Sequence, residues 1–208
     1  MNQRFAVLDF ETTGLSPAAG DRATEIAIVV MEGEREVDRF QSLMNAGVRL
    51  SSFIEDYTGI TNEMVAAAPP AAGVMAQARG FGGDTPLVAH NASFDSRFWA
   101  AELARLGPDE SEAPAFACTL LLSRRLYPEA GSYRLGALAQ WHALPSAGRA
   151  HRALADAQVA AHLLSCIRRD LGRRRALGGA PPALLLQLQR AQRQALPKVI
   201  ERYRASGA

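Results

Sequence analysis

Residues 5–10 of the chain read FAVLDF, a short run that is apolar apart from Asp9. Such a run is typical of a β-strand that is buried on both faces of its sheet. It passes into residues 12–17, where Gly14 and Pro17 predict a loop. We therefore expect a central, covered strand near the start of the chain.

The rest of the chain predicts strands first, and then strands and helices in alternation. Strands are predicted at residues 23–31 and 35–44, joined by a hairpin-like spacing, and at 86–89 and near 115–118. Short helical pieces are predicted between 51 and 83, and longer helices at 93–106 with Ser93 as N-cap, 120–126, 134–141 and 152–171. This order favours an α/β layer fold with a mixed sheet.

Charge divides the 208 residues into an acidic body and a basic tail. Residues 1–167 carry 13 Arg against 19 acidic residues, a net charge of −6, whereas 168–208 carry nine Arg and one Lys against two acidic residues, a net +8. We predict one domain at residues 1–170. For residues 171–208 we predict a basic linker and a C-terminal amphipathic helix.

The predicted tail helix begins at a Pro-Pro pair and carries Leu184, Leu188 and Ala191 on one side. Pro197 is expected to end or kink it. We expect this helix to pack on its own domain, and partner binding is the alternative.

Composition excludes several classes of protein. Two cysteines, Cys118 and Cys166, are too few for a disulfide framework or a Cys-based zinc site, so we expect reduced thiols and a cytoplasmic location. No apolar run approaches the roughly 20 residues of a membrane helix. No secretory signal is visible at the N-terminus.

Asp9 and Glu11 lie two positions apart at the end of the first strand, so strand pleating points both side chains to one face. Two carboxylates that close repel one another unless a cation or a shared proton compensates them. The alternative is that the strand has already frayed at Asp9, which would leave both carboxylates in water.

Two further acidic residues and a histidine have informative positions. Asp95 falls in the first turn of a helix on its inward face, although the helix dipole alone favours an acid there. Asp156 heads the apolar stripe of the helix at 152–171, and a buried carboxylate usually has a charged partner or a metal. His151 lies five residues before Asp156, where an imidazole can take a proton from a water molecule. A lone histidine is more often structural.

Four carboxylates without a Cys or His ligand set predict a site for a hard cation, Mg²⁺ or Mn²⁺. Two such ions about 3.5–4 Å apart, with an adjacent general base, suit in-line hydrolysis of a phosphodiester. The metals would also explain an acidic pocket in a protein that binds a polyanion.

Three segments carry the candidate site residues: DFETTGL at residues 9–15, HNASFD at 90–95 and HRALAD at 151–156. They resemble the exonuclease motifs of the DEDDh 3′→5′ exonucleases. That family includes the epsilon proofreading subunit of bacterial DNA polymerase III, ribonuclease T and oligoribonuclease, and its fold is ribonuclease H-like. The resemblance therefore implies a ribonuclease H-like mixed five-stranded sheet flanked by helices. The spacing from His151 to Asp156 marks the histidine subclass, since the tyrosine subclass has Tyr where this chain has Arg152.

The resemblance also implies a role for each matched residue. Asp9, Glu11 and Asp156 would bind the first metal ion, Asp9 would bridge to the second, and Asp95 would act there largely through water. His151 would be the general base. The backbone of Thr12 would receive the terminal 3′-hydroxyl. The side chains that would pack against the last bases are Leu15, Ile60 and Phe94.

Two departures from the family pattern affect these expectations. Thr58 stands before Gly-Ile-Thr, where epsilon-like relatives often have histidine, which puts an end-positioning role there in doubt. The tail has no glutamine-led peptide ending in a large aromatic residue, which puts sliding-clamp binding in doubt.

These observations predict a metal-dependent 3′→5′ exonuclease that releases nucleoside 5′-monophosphates from single-stranded DNA ends in proofreading or repair. An RNA-trimming exoribonuclease is the alternative within the class. A non-catalytic nucleic-acid-binding module is the alternative outside it. The basic tail could contact nucleic acid, or its helix a polymerase or repair partner.

Overall fold

The structure is a computed structural model, and it describes residues 3–107, 114–145, 148–175 and 180–206. Its strands are β1 (Arg4–Thr12), β2 (Ala23–Glu32), β3 (Arg35–Leu43), β4 (Leu87–Ala89) and β5 (Ala117–Cys118). Its helices are α1 (Ser52–Thr58), α2 (Asn62–Ala66), α3 (Ala71–Gly82), α4 (Ala92–Ala104), α5 (Thr119–Leu126), α6 (Leu135–Trp141), α7 (Ala153–Arg175), α8 (Pro182–Arg190) and α9 (Leu196–Ala205).

The five strands form one mixed sheet in the order β3-β2-β1-β4-β5. The first three strands are an antiparallel meander, and β4 and β5 continue the sheet parallel to β1. β1 is therefore the central strand, as its apolar sequence predicts. The α/β fold with a mixed five-stranded sheet and a C-terminal helical extension is confirmed.

Alternation along β1 divides the core into two layers. Phe5 and Val7 point to the side covered by α7, and they belong to a buried cluster that continues into the C-terminal helices. Ala6, Leu8 and Phe10 point to the other side, where α3 and α4 pack. Because side chains alternate with a period of two, Asp9 and Glu11 continue the face of Phe5 and Val7, beneath α7.

The tail packs on the body of its own chain, as expected. Leu184 and Leu188 are fully buried in the cluster beneath α7. The side-chain amide of Gln189 donates to the carbonyl of Phe116 at 3.0 Å and accepts from the N–H of Cys118 at 2.6 Å, on the free side of β5. The tail is thus joined to the sheet by polar contacts as well as by apolar ones.

Three local expectations were wrong. The linker predicted from residue 171 is helical as far as Arg175, and residues 176–179 lie outside the described residues. Pro197 does not end the tail helix: α8 ends at Arg190, and Pro197 lies in the first turn of α9, where its missing N–H is tolerated. Ser93 lies inside α4, whose N-cap is Asn91 in a left-handed conformation. The domain boundary at residue 170 stays a prediction.

Within the described residues, none of the helices combines the length and the apolar character needed to span a membrane.

Candidate active site

Asp9 and Glu11 lie on a paired strand. β1 pairs with β2 through Glu11 and Thr12, so the chain does not fray at Asp9, and the alternative of two solvated carboxylates is wrong. The Glu11 side chain is buried and that of Asp9 is half-buried. The strand therefore holds two carboxylates at fixed positions on the face that α7 covers.

Asp156 lies close to Asp9 and Glu11 and is carried by the helix that covers their strand. It lies in the first turn of α7, and α7 packs on β1 and β2. One carboxylate oxygen from each of Asp9, Glu11 and Asp156 can be chosen so that all three atoms lie within 4.8 Å of one another. Two segments more than 140 positions apart thus supply one oxygen-only cluster, which we call the acidic cluster.

Crowding and burial favour the protonated forms of these carboxyls. Burial raises the pKa of Glu11 to about 8, and the negative charges of Asp156 and Glu25 act in the same direction. Burial and the charge of Asp95 raise the pKa of Asp9 well above its ordinary range. Burial also raises the pKa of Asp156. Ionising the whole acidic cluster therefore costs free energy unless positive charge compensates it.

Asp95 approaches the acidic cluster from the other layer. It lies in the first turn of α4, it is buried, and its Oδ1 accepts from the N–H of Phe10 at 3.3 Å. Burial raises its pKa to about 8. Asp95 is not one of the three residues whose oxygens group within 4.8 Å, so it stands beside Asp9 rather than within the cluster.

His151 is held in an unusual conformation next to Asp156. Its φ is +60°, a left-handed value that is uncommon for a residue other than glycine. Its N–H donates to Oδ2 of Asp156 at 3.1 Å, and its ring stacks on Tyr57 with the ring centres 3.9 Å apart. Backbone strain of this kind clusters at functional sites.

A cleft of about 620 Å³ opens above the acidic cluster. Three predicted contact residues line it: Thr12, Leu15 and Phe94. Leu15 is 78% exposed, so its side chain is free to meet a ligand. Ile60 does not line the cleft. It is fully buried in a small cluster with Leu50 and Val65, which corrects the expectation that it contacts bases.

Sequence reasoning missed two aromatic residues of the cleft. Phe53 and Tyr57 lie one turn apart on α1, both line the cleft, and their rings stack with centres 5.8 Å apart. Phe53 is 70% exposed and Tyr57 48%. Their spacing on a short helix was visible in the sequence, but nothing local showed that α1 faces His151.

Sequence reasoning also missed the contact between Glu25 and Arg152. Glu25 is fully buried on β2 and forms a two-pronged ion pair with Arg152, with N–O distances of 2.8 and 3.0 Å. The signal was a single acid within the apolar run ATEIAIVVM. Burial acts to raise the pKa of Glu25, but hydrogen bonds from Arg152, Gln41 and Ala153 outweigh it and lower the pKa.

Two residues of the resembling segments, His90 and Thr58, have structural partners, and so does the buried Glu102 of α4. His90 hydrogen-bonds to Thr119 and Tyr133, and burial lowers its pKa to about 4, so it is neutral. Glu102 pairs with Arg22. The Thr58 hydroxyl donates to the carbonyl of Ile54 and accepts from the N–H of Ile60.

The chemistry of the acidic cluster fits a divalent metal. All of its donors are carboxylate oxygens, which hard cations such as Mg²⁺ prefer. A cation would also offset the repulsion that raises the pKa values of Asp9 and Glu11.

Comparison with known proteins points the same way. Residues 6–164 match the family model RNase T, described as Exonuclease. The chain is 41% identical over 160 residues to the PolC-type DNA polymerase III of Oceanobacillus iheyensis, covering 77% of this chain and 11% of that protein. It is 37% identical over 168 residues to the PolC-type enzyme of Bacillus subtilis, covering 81% and 12%. The chain thus spans only about a tenth of the length of these relatives.

Solved structures share the fold. Exonuclease X in complex with 5′-overhanging duplex DNA is 29% identical, with a TM-score of 0.66 over 88% of this chain and 99% of that one. The nuclease domain of 3′hExo, a DEDDh family member bound to rAMP, is 21% identical, with a TM-score of 0.67 over 81% and 93%. The family match over most of the chain shows that the protein belongs to the exonuclease family, and these neighbours share its fold.

Proposed function

We propose that this exonuclease removes nucleotides from single-stranded 3′ ends of DNA and releases nucleoside 5′-monophosphates, in proofreading or repair. The observation that carries the proposal is the acidic cluster of Asp9, Glu11 and Asp156 at the base of a cleft with exposed apolar walls. The cluster suits phosphodiester hydrolysis, and the walls suit unpaired bases.

The walls support a single-stranded substrate. Leu15, Phe53 and Tyr57 expose apolar surface around the cleft, which is costly unless a ligand covers it. Stacking of an unpaired base on an aromatic ring is worth about 1–3 kcal/mol and does not depend on which base is present. An enzyme that trims many different ends needs contacts of this sequence-tolerant kind.

The carboxylates would hold Mg²⁺ or Mn²⁺, two ions in all, with Asp9, Glu11 and Asp156 binding one and Asp9 and Asp95 serving the other. When bound, the ions supply positive charge that offsets the negative charge of the carboxylates and of the phosphate. The protein's own part is to hold these oxygens on β1, α4 and α7.

His151 would act as the general base. His151 lines the cleft, its backbone N–H donates to Asp156, and its imidazole would accept a proton at a ring nitrogen from the attacking water. Tyr57 packs against one face of the ring, which limits its rotation. Thr12 would receive the 3′-hydroxyl through its backbone, while Leu15 and Phe94 pack against the terminal bases.

A polymerase context is supported by the relatives from Oceanobacillus iheyensis and Bacillus subtilis, which are PolC-type DNA polymerases III. A partner would meet the exposed basic side chains of the tail, such as Arg190 and Arg202, because the apolar faces of α8 and α9 are already buried. A cytoplasmic location stays a prediction.

Degradation of matched, end-labelled DNA and RNA oligonucleotides tests the proposal. We expect 5′-monophosphates released from single-stranded DNA 3′ ends with Mg²⁺ or Mn²⁺, slower attack on blunt duplex, and no products in EDTA. Faster degradation of RNA would favour the exoribonuclease, and internal cuts would contradict the proposal.

A variant pair tests the role of the cleft walls. Phe53→Ala should raise KM for single-stranded DNA, because a stacking surface is lost. Val48→Ala, which shortens an exposed apolar side chain that does not line the cleft, should leave KM unchanged. Equal KM values for the two variants would show that Phe53 does not contact the substrate.

A further inference from the structure

Glu25 is a fully buried carboxylate next to the acidic cluster. On β2 it lies directly opposite Glu11 of β1, and cross-strand partners share one face of a sheet. Its negative charge therefore adds to the repulsion within the site and raises the pKa of Glu11. A group this costly to bury needs strong partners.

Those partners lie at the start of the helix that carries Asp156. Oε1 of Glu25 accepts from the guanidinium of Arg152 at 2.8 Å, and Oε2 accepts from Nε of the same side chain at 3.0 Å. Oε2 also accepts from the backbone N–H of Ala153 at 3.1 Å, and the Gln41 side chain donates to Oε1 at 2.8 Å.

The hydrogen bond from the N–H of Ala153 to Glu25 caps the N-terminus of α7. The first N–H groups of an α-helix have no partner within the helix, and a Ser, Thr, Asp or Asn side chain just before it usually accepts from one of them. α7 begins at Ala153, so Arg152 precedes it, and a guanidinium has no acceptor. Glu25 supplies the missing acceptor from a neighbouring strand.

We call the Glu25–Arg152 ion pair, together with the hydrogen bond from Ala153 to Glu25, the joint between β2 and α7. Residues on both sides of this joint belong to the site. His151 directly precedes Arg152, and the N–H of Asp156 donates to the carbonyl of Arg152 at 3.1 Å in the first turn of α7. β2, which carries Glu25, is paired residue by residue with the part of β1 that holds Asp9 and Glu11. The joint thus connects the strand half of the acidic cluster to its helix half.

We propose that Glu25 and Arg152 are positioning residues of this exonuclease: their ion pair and the cap on Ala153 fix the start of α7 so that Asp156 and His151 meet Asp9 and Glu11. Neither member of the pair lines the cleft. The pair acts through the placement of the residues that do. The inference rests on the proposed roles of Asp156 in metal binding and of His151 as base.

The chain contains a matched control for this pair. Arg22 and Glu102 form the same two-pronged ion pair, with both N–O distances 2.8 Å, and Glu102 accepts from the backbone N–H of the next residue, Ala23, at 3.1 Å. Glu102 is 2% exposed. This second pair joins α4 to the start of β2, and neither member lines the cleft.

The experiment compares Glu25→Gln, Arg152→Gln and Arg152→Lys with Glu102→Gln in the 208-residue chain. Four quantities are measured: kcat and KM on single-stranded DNA, Mn²⁺ affinity without substrate by electron paramagnetic resonance, hydrogen exchange of the amides of residues 153–157, and the unfolding temperature.

We expect Glu25→Gln and Arg152→Gln to lower kcat and Mn²⁺ affinity by about 10–100-fold, as loss of a partner that orients a metal ligand does. Exchange at the start of α7 should accelerate, and KM should change little. Arg152→Lys keeps the positive charge but cannot bind both oxygens of Glu25 at once. Its kcat should therefore lie between those of wild type and Arg152→Gln. Glu102→Gln should lower the unfolding temperature and leave kcat and Mn²⁺ affinity unchanged.

Two outcomes would overturn the inference. In the first, the Glu25 and Arg152 variants lose stability but keep kcat and Mn²⁺ affinity. In the second, Glu102→Gln lowers kcat as much as Glu25→Gln does. Failure of the proposed function looks different, because the wild-type protein itself would then bind no Mn²⁺ or release no nucleotides. If Glu25→Gln does not fold, the ranking of the two Arg152 variants decides.

Discussion

Replacing Glu11 by Gln should stabilise the metal-free protein, because the wild-type fold buries a carboxylate among other carboxylates. Burial, with the charges of Asp156 and Glu25, raises the pKa of Glu11 from 4.5 to about 8. A folded-state pKa above the unfolded value means that folding favours the protonated form. The penalty is therefore absent below about pH 4.5, grows as pH rises, and is complete above about pH 8.

The magnitude follows from that interval. Each pH unit between the two pKa values corresponds to about 1.4 kcal/mol, so the penalty reaches about 3 kcal/mol at pH 7 and about 5 kcal/mol at pH 8. Glutamine has nearly the same shape and no charge. For a protein of this size, about 3 kcal/mol corresponds to a rise of roughly 6–12 °C in the unfolding temperature.

Thermal unfolding in EDTA at pH 5 and pH 8 measures this effect. Glu11→Gln should unfold roughly 10–20 °C above wild type at pH 8, where the penalty is about 5 kcal/mol, and within a few degrees of wild type at pH 5. Adding Mg²⁺ should stabilise wild type more than the variant. The control is Glu201→Gln, which removes an exposed carboxylate of α9 and should change little at either pH. A Glu11 variant no more stable than wild type at pH 8, or equally stabilised at both pH values, would refute the reasoning.

Three further substitutions have defined outcomes. Asp156→Asn should abolish nucleotide release and leave the metal-free unfolding temperature equal or higher, and turnover at the wild-type rate would remove Asp156 from the site. His151→Ala should keep Mn²⁺ binding and lose about 10²–10⁴-fold in kcat, as loss of a general base does, whereas an unchanged rate across pH 6–9 would exclude that role. Gln189→Ala leaves the outward N–H of Cys118 unpaired and should cost about 1–3 kcal/mol in the free energy of unfolding, and an unchanged denaturant midpoint would contradict this.

Local patterns were enough to predict most of the sheet and two parts of the acidic cluster. The apolar run of β1 identifies the central strand, and its period of two places Asp9 and Glu11 on one face. The apolar stripe of α7 predicts that Asp156 faces inward. These inferences hold because both periods are properties of the backbone and do not depend on the rest of the fold.

Contacts between distant segments could not be predicted in this way. Glu25 and Arg152 are 127 positions apart, and no local rule joins a strand acid to the residue before a remote helix. Ile60 lies in a segment that resembles a family pattern, but its burial depends on how α1 and α2 pack. The sequence predicted one tail helix where the structure has two. The Pro-Pro pair and Pro197 were interpreted as the start and the end of one helix, because the packing of α8 against the sheet could not be foreseen.

The two outer strands of the sheet differ in a way that limits how other chains can add to it. On β5, the outward N–H of Cys118 and carbonyl of Phe116 are already bonded to Gln189, so an incoming strand finds no free partner there. β3 is the opposite edge strand of the sheet, and it exposes Arg35, Asp38 and Arg39. Charged side chains on an edge strand discourage aggregation by strand pairing. Any protein that extends this sheet by β-augmentation must therefore do so along β3, and must carry charges that complement those three.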